Sequence, residues 1–443
     1  MHVHFGKDAA ARKRGEDVAV SWDADRAVNG HMLIVGMSGA GKTHTLRRVV
    51  RDAIRTTRHP VTVHVMDVHG DIEIDGASSV VYSESTDYGI NPLIVDPDRH
   101  SGGVRKRIQN LISAINRTST KLGSKQEAVL RNLLLDLYAA NGFYADRPES
   151  WRLDDGGQQR RFPKKFPTLQ DAQRFAFYKL KAMYLGSDEK GVQALEQVNK
   201  AAQKVHAKLA TINRGSGADE SKAEKKDADL EKAIEVARTE YDRYLNEIRS
   251  GKELEAAIRY NSRDVLQSVV ERIENLNGVG IFKATPPPFD PKAAVRRYNL
   301  RALGMDERKL YTHFALEEIF RRAVARGAVE GIHEIIVLDE AHIHMDDAED
   351  NICSTIAKEG RKFGIALICA SQAPTHFTED FLSSVATKLI LGIDEMFWDQ
   401  SIRKMRVTQE ALKFIIPKKR ALVQTKQSGE QRSDYRWIYL DAA

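Results

Sequence analysis

Residues 33–46 read LIVGMSGAGKTHTL. An apolar run, Leu33-Ile34-Val35, meets a glycine-rich turn from Gly36 to Gly41, and Lys42 and Thr43 follow. The stretch fits G-x-x-x-x-G-K-[ST], a loop whose backbone amides cradle phosphates. A strand must precede such a loop and a helix must follow it. The apolar run and the helical pattern from about 42 to 56 meet both demands. Glycine lets N–H groups approach the phosphate oxygens, and the helix N-terminus adds positive potential. The candidate nucleotide-binding residues are therefore Gly36, Ser38, Gly39, Ala40, Gly41, Lys42, Thr43 and His44. Lys42 is placed to reach the β- and γ-phosphates and Thr43 to hold Mg²⁺. The loop predicts ATP with Mg²⁺ and leaves open what hydrolysis drives.

Outward from the loop, the chain up to about residue 101 has an α/β texture. After the strand at 32–36 comes a second, Val61 to Met66, ending at Asp67, and a third at Ser79 to Tyr82. Strands alternating with helices predict a parallel sheet with right-handed crossovers. From about 102 to 285 strand signals vanish. Leu195, Val198, Ala202, Val205, Leu209 and Ile212 recur at spacings of three and four. So do Leu230, Ile234, Ala237, Tyr241, Tyr244 and Ile248. The breaker Arg214-Gly215-Ser216-Gly217-Ala218-Asp219 stands between the two stripes, so residues 190–250 predict an antiparallel coiled-coil hairpin. Its charged flanks, such as Lys222 to Asp229, are a solvated face or an arm for a partner. Pro286-Pro287-Pro288 ends the helical block. The α/β pattern resumes over 286–443, with a helix at 306–327 and strands at 334–338, 365–370, 387–392 and 420–424.

The strand Ile335-Ile336-Val337-Leu338 runs into Asp339-Glu340-Ala341-His342. An apolar strand ending in tandem acids predicts Asp339 as a Mg²⁺ ligand, directly or through water. Glu340 becomes the group that orients the attacking water. Spacing then discriminates among motors. Two-lobed helicases need a second complete lobe, whereas 104 residues follow Asp339 here. Lys42 and Asp339 lie 297 positions apart, a gap filled by the helical block. The expected fold is α/β: a single RecA-like P-loop NTPase core with a large all-helical insertion. One lobe needs a neighbouring subunit to complete its site, which predicts a homo-oligomeric ring.

A third site is Glu359-Gly360-Arg361-Lys362-Phe363-Gly364, followed by a strand ending in Ser371-Gln372. Gln372 is a candidate polar sensor of the γ-phosphate or the water. Arg361 is a candidate arginine finger offered to the next subunit's ATP. Arg361-Lys362 reads as readily as an exposed basic helix end or a DNA contact.

The chain has 443 residues, 29% charged, with a formal net charge of +6. A mildly basic balance suits a polyanionic partner. Cys353 and Cys369 fit no metal or disulfide pattern, as expected for a reducing cytosol. No signal-peptide pattern opens the sequence, and no apolar run approaches the ~20 residues of a membrane span. A soluble cytoplasmic protein without an integral membrane segment is expected. His2-Val3-His4 and His342-Ile343-His344 are weak metal candidates, each lacking a third ligand. Trp22 is expected in the core.

Together, GMSGAGKT, VMDVHGDIE, GINPL, LDEAH, EGRKFG and ICASQAP resemble the HerA/FtsK superfamily of ring ATPases. The HerA-like branch, shared with conjugative secretion ATPases, fits best, and the resemblance covers about 30–145 and 290–425. It implies an ATP-hydrolysing translocase on double-stranded DNA, working as a hexameric ring. It also implies that Asp67 to Asp71 border the nucleotide, that Arg361 is the finger and that Gln372 is the sensor. Asn91-Pro92-Leu93, Gly123 to Gln126 and the closing stretch Ile416 to Val423 match family stretches too. The 30 or so residues before the first strand are too few for the N-terminal β-barrel of HerA proteins, and the pathway stays open. A conjugation or secretion motor is one alternative. An ATP-gated scaffold that recruits a nuclease or other effector through the hairpin is another.

Overall fold

The computed structural model describes residues 1–118, 120–153, 164–185, 189–213, 220–247, 258–345, 351–430 and 432–441. Its centre is the strand that leads into the glycine-rich loop. In chain order the elements of the first part are β1 (His2–Asp8), α1 (Ala9–Lys13), β2 (Ala19–Asp23), β3 (Met32–Gly36), α2 (Lys42–Thr56), β4 (Thr62–Asp67) and β5 (Ser78–Val81). After the helical block come β6 (Val295–Asn299), the helix Met305–Arg326, β7 (Glu334–Leu338), β8 (Ile365–Ser371), β9 (Thr387–Gly392), β10 (Arg420–Thr425) and β11 (Arg436–Tyr439). They form one sheet in the order β2-β1-β11-β10-β9-β3-β8-β7-β4-β6-β5. From β9 to β5 every pairing is parallel, and from β9 to β2 every pairing is antiparallel. Every residue of β3, β8 and β9 is buried, which is why β3 and most of β8 are continuous apolar runs rather than alternating ones, while β9 opens on the buried Thr387 and Lys388.

Two features depart from the sequence expectation. The first 30 residues are not a separate segment: β1 and β2 extend the same sheet. Phe5 and Trp22, both fully buried, join Leu46 and Val49 of α2 in one apolar core. Arg48 of α2 donates to the Phe5 carbonyl at 3.3 Å, and Thr56 bonds the His2 backbone at 2.8 Å. The other is β6, which the sequence concealed. Val295-Arg-Arg-Tyr-Asn carries two arginines, yet the strand sits between β4 and β5.

The chain divides into two compact units, Met1–Ile90 with Lys283–Ala443, and Asn91–Phe282. In the first, β5 and β6 are hydrogen-bonded neighbours although more than 200 residues separate them. Gly89 donates to the Thr285 carbonyl at 2.9 Å and Lys283 to the Ile90 carbonyl at 3.2 Å. The excursion therefore leaves and returns at one clamped point, so the sheet is completed as if it were continuous.

All described elements of the second unit are helices: α3 (Val104–Thr118), α4 (Ser124–Ala140), α5 (Leu169–Leu185), α6 (Glu189–Asn213), α7 (Glu220–Glu247) and Arg263–Gly278, with one 3₁₀ turn. The unit starts before the texture change at 102. Tyr138 of α4 donates to the Leu93 carbonyl at 2.7 Å, and Arg107 of α3 to the Pro92 carbonyl at 2.6 Å. Along α6 and α7, Lys208 meets the Asp229 carbonyl, while Val198 and Tyr241 share a groove farther on, so the pair runs antiparallel. The turn 214–219 and Ile248 of the expected hairpin lie outside the described residues, as do the side chains of 222–227. No helix among the described residues is long and apolar enough to cross a membrane.

The pairing of β1 with the end of the chain is testable at Gly6. A Cβ there would lie 2.2 Å from the Tyr439 carbonyl oxygen. Gly6→Ala is expected to lower stability by about 1–3 kcal/mol in denaturant unfolding. No change would contradict the docking of the N-terminal strands.

Candidate nucleotide and metal site

The parallel strands end together on one edge of the sheet, and the chemistry collects there, outside their carboxyl ends. β3 delivers the glycine loop, β4 delivers Asp67, β7 delivers Asp339 and Glu340, and β8 delivers Gln372. Register aligns these ends. Val35 pairs with Ser371, and Leu338 pairs with both Met66 and Cys369.

In the loop, Gly39 and Gly41 take φ of +76° and +98°, backbone that other residues rarely adopt. Gly41 is the N-cap of α2, so the first amides of that helix face the loop. Ser38 and His44 are exposed, Ala40 is buried and Thr43 is half-buried. Lys42 donates to the Gly36 carbonyl at 2.8 Å, and its ammonium stands 3.9 Å from Glu340 Oε1.

Asp67, Asp71 and Asp339 bring carboxylate oxygens within 4.8 Å of one another. Asp67 is fully buried. It accepts from the amides of Gly70, Asp71 and Ile72 at 2.7, 3.3 and 3.0 Å. Arg297 of β6 pairs with it at 2.8 Å. Asp339, 2% exposed, has no such ion pair among the described residues. Burial, and then the neighbouring Glu340 charge, push its carboxyl up to about 6. Glu340 behaves differently. Burial raises its carboxyl, but His342, Lys42 and Gln372 outweigh that and leave it lowered. His342 Nδ1 lies 3.2 Å from Glu340 Oε2, and Gln372 Nε2 donates to Oε1 at 3.5 Å. Glu340 also takes φ of +46°. A left-handed conformation in a bulky residue costs about 1–3 kcal/mol and marks sites where the side chain must point one way.

Hard carboxylate oxygens, one of them on a carboxyl raised by burial and by the Glu340 charge, are the donor set that a divalent cation such as Mg²⁺ completes. Asp339 would hold the ion, with Asp67 and Asp71 bordering it. The histidine pairs contribute nothing comparable. His4 and His2 face Asp441 and Asp23 singly. His342 packs on His376 with ring centroids 4.7 Å apart. Sequence reasoning missed Arg297, one of two adjacent arginines in the mostly polar stretch Val295–Asn299.

Arg361 stands elsewhere. It is exposed in the turn Gly360–Phe363 just before β8, whereas Gln372 follows the end of that strand. Seven residues at about 3.3 Å each separate them by roughly 23 Å. The structure therefore brings Lys42, Asp339, Glu340 and Gln372 together and places Arg361 at the opposite edge.

Residues 9–141 match the family model of the central domain of helicase HerA. The chain thus resembles HerA-like P-loop ATPases in sequence. It is 44% identical over 81 residues to the DNA double-strand break repair helicase HerA of Pyrococcus furiosus, covering 17% of this chain and 15% of that protein. With the HerA of Saccharolobus solfataricus it shares 31% identity over 183 residues, covering 40% of this chain and 30% of that one. The HerA-like chain thus spans less than a third of the length of these two relatives. In fold it is similar to VirB4 of Thermoanaerobacter pseudethanolicus, with a TM-score of 0.57 and 14% identity, covering all of this chain and 96% of that one. It is also similar to the plasmid coupling protein TrwB bound to a non-hydrolysable ATP analogue, with a TM-score of 0.51 and 11% identity, covering 100% and 95%.

The raised carboxyl of Asp339 has a consequence for the metal-free HerA-like chain. The folded form keeps that proton up to about pH 6 and the unfolded form only up to about 3.8, so folding loses stability as pH rises between them. Asp339→Asn is expected to be more stable than the parent at pH 7.5 by about 1–3 kcal/mol. The difference should fade by pH 4. Equal stability at both pH values would show that the carboxyl is not perturbed.

Proposed function

We propose that the chain is a Mg²⁺-dependent ATP hydrolase that assembles as a homo-oligomeric ring, a hexamer, and moves along double-stranded DNA. The observation that carries this is the split of the site. The groups that bind and position ATP meet at one sheet edge, and the arginine that would complete them lies at the other. A neighbour presenting its Arg361 to this Lys42 closes the site, and repetition of that contact closes a ring. The HerA names of the relatives support DNA as the track.

In this reading the loop amides and Lys42 hold the β- and γ-phosphates, and the Thr43 hydroxyl and Asp339 hold Mg²⁺. The ion neutralises charge on the β- and γ-oxygens when bound. Glu340, ionised at neutral pH, orients a water in line with the γ-phosphorus. The water oxygen bonds to phosphorus as the bond to the β-bridging oxygen breaks, and the water's proton passes to Glu340 or to solvent. Gln372, in reach of Glu340, senses whether the γ-phosphate is present. DNA contacts would be made to phosphates, with little sequence preference and strong salt dependence.

A second reading has its own observation. Val236, Tyr241 and Leu245 of α7 are about half exposed. Such a face suits an effector, a nuclease among them, docked on a coiled-coil hairpin. The resemblance in fold to VirB4 keeps a conjugation or secretion motor as the other alternative.

Turnover with and without double-stranded DNA tests the main reading. Lys42→Ala and Arg361→Ala should each cut kcat by about 10³-fold or more. Mixing the two inactive variants should restore part of the activity, because one interface in a mixed ring keeps both residues. Absence of DNA stimulation would sink the translocase reading, and absence of rescue would sink the finger in trans.

A further inference from the structure

A basin of about 860 Å³ opens beside β9 and β10, and no residue of the nucleotide site lines it. Six cationic side chains face it: Lys388, Arg403, Lys404, Arg406, Lys426 and Arg432. Three acidic ones do as well, Glu379, Glu430 and Asp434. Among the described residues none of the six cations is ion-paired with a carboxylate. Six cations against three carboxylates leave a positive excess in a concave place, and the one buried member, Lys388, departs from the usual rule that buried charges are paired.

Lys388 is buried and Lys404 and Lys426 are half-buried, while Arg403, Arg406 and Arg432 are exposed. Lys388 is 6% exposed, and its ammonium has one long contact, 3.4 Å to Gln424 Oε1. Burial, then the neighbouring Lys426, lower its pKa to about 8. Lys426 donates to the Ser383 carbonyl at 2.7 Å, and burial and Arg406 lower its pKa in turn. Lys404 is spent on the carbonyls of Thr375 and Phe377 at 3.1 and 3.0 Å. Arg406 ends the helix Trp398–Met405 with φ of +54°, a strained cap that glycine usually fills. Holding an arginine there fits a need for its guanidinium rather than for the turn.

We propose that this basin is a second anion site, one that binds phosphate groups of a ligand through Lys388, Lys426, Arg406 and Arg432. Its volume falls in the range of ordinary ligand pockets, about 300–1,000 Å³. Forked guanidiniums beside lysine ammoniums match several phosphate oxygens at once, and each contact is charge-assisted. The phosphodiester backbone of a nucleic-acid strand and a free oligophosphate share this chemistry.

The test uses the full chain carrying Lys42→Ala, so that phosphate binding at the glycine loop is disabled and the outcome does not depend on hydrolysis. Inorganic tripolyphosphate is titrated by calorimetry and a short fluorescein-labelled single-stranded oligonucleotide by anisotropy. Arg406→Gly with Arg432→Ser is then added; glycine suits the backbone at 406, so the fold is kept. Arg55→Ser with Arg58→Ser, both exposed on another surface, is the charge-matched control. At least one probe should bind, and the basin pair should weaken it by about tenfold or more. The control pair should weaken it by less than about twofold. Binding of the oligonucleotide alone assigns the site to a strand, and binding of tripolyphosphate alone assigns it to free phosphates. The proposal is overturned if neither probe binds, or if the control pair weakens binding as much as the basin pair.

Discussion

Three carboxylates crowded at one edge of a sheet are the constraint around which the nucleotide site is arranged. Asp67, Asp71 and Asp339 cannot all ionise there at no cost, because like charges at this separation and burial repel strongly. The fold answers in two ways. Asp67 receives Arg297 and three backbone amides. Asp339 receives nothing equivalent and keeps its proton to unusually high pH. The uncompensated part is a demand for a cation, and the glycine loop with Lys42 stands one strand away across β8.

That arrangement depends on sheet order more than on any single contact. β3, β8, β7 and β4 are adjacent and parallel, so four chain segments far apart in sequence deliver their last residues to one line. The same parallel polarity carries Arg361 away, since the residue before a strand and the residue after it lie at opposite ends. In the proposed reading Arg361 must come from a neighbouring chain, and strand direction is what supports the proposed ring. The helical excursion leaves the line intact because β5 and β6 pair directly and its two stems bond to each other.

Much of this was legible in the sequence. Gly36 to Thr43 fixed their own loop, since only glycines tolerate the backbone at 39 and 41. Asp339 and Glu340 announced themselves as acids after the apolar run Ile335 to Leu338, and the change of texture near residue 102 marked the helical block to within about three turns. The antiparallel helix pair showed in spacing alone, because a stripe at threes and fours leaves a helix one face to bury. β6 was hidden: its arginines read as surface, and only the carboxylate of Asp67 makes a buried Arg297 tolerable. β1 and β2 were hidden because short strands near the edge of an antiparallel extension carry little apolar signal of their own.

Local structure, then, is what the sequence by itself determined: a glycine-rich turn between strand and helix, an acidic strand end, a helical block. These depend on residues within a few positions of each other, where backbone freedom, periodicity and charge act directly. The tertiary structure alone decided which acids share a site, which arginine neutralises one of them, and that Arg361 lies out of reach of its own Lys42. It also gathered Lys388, Arg406, Lys426 and Arg432 around one basin. Those relations are set by strand order and register, which arise from long-range pairing and leave no trace in the spacing of residues along the chain.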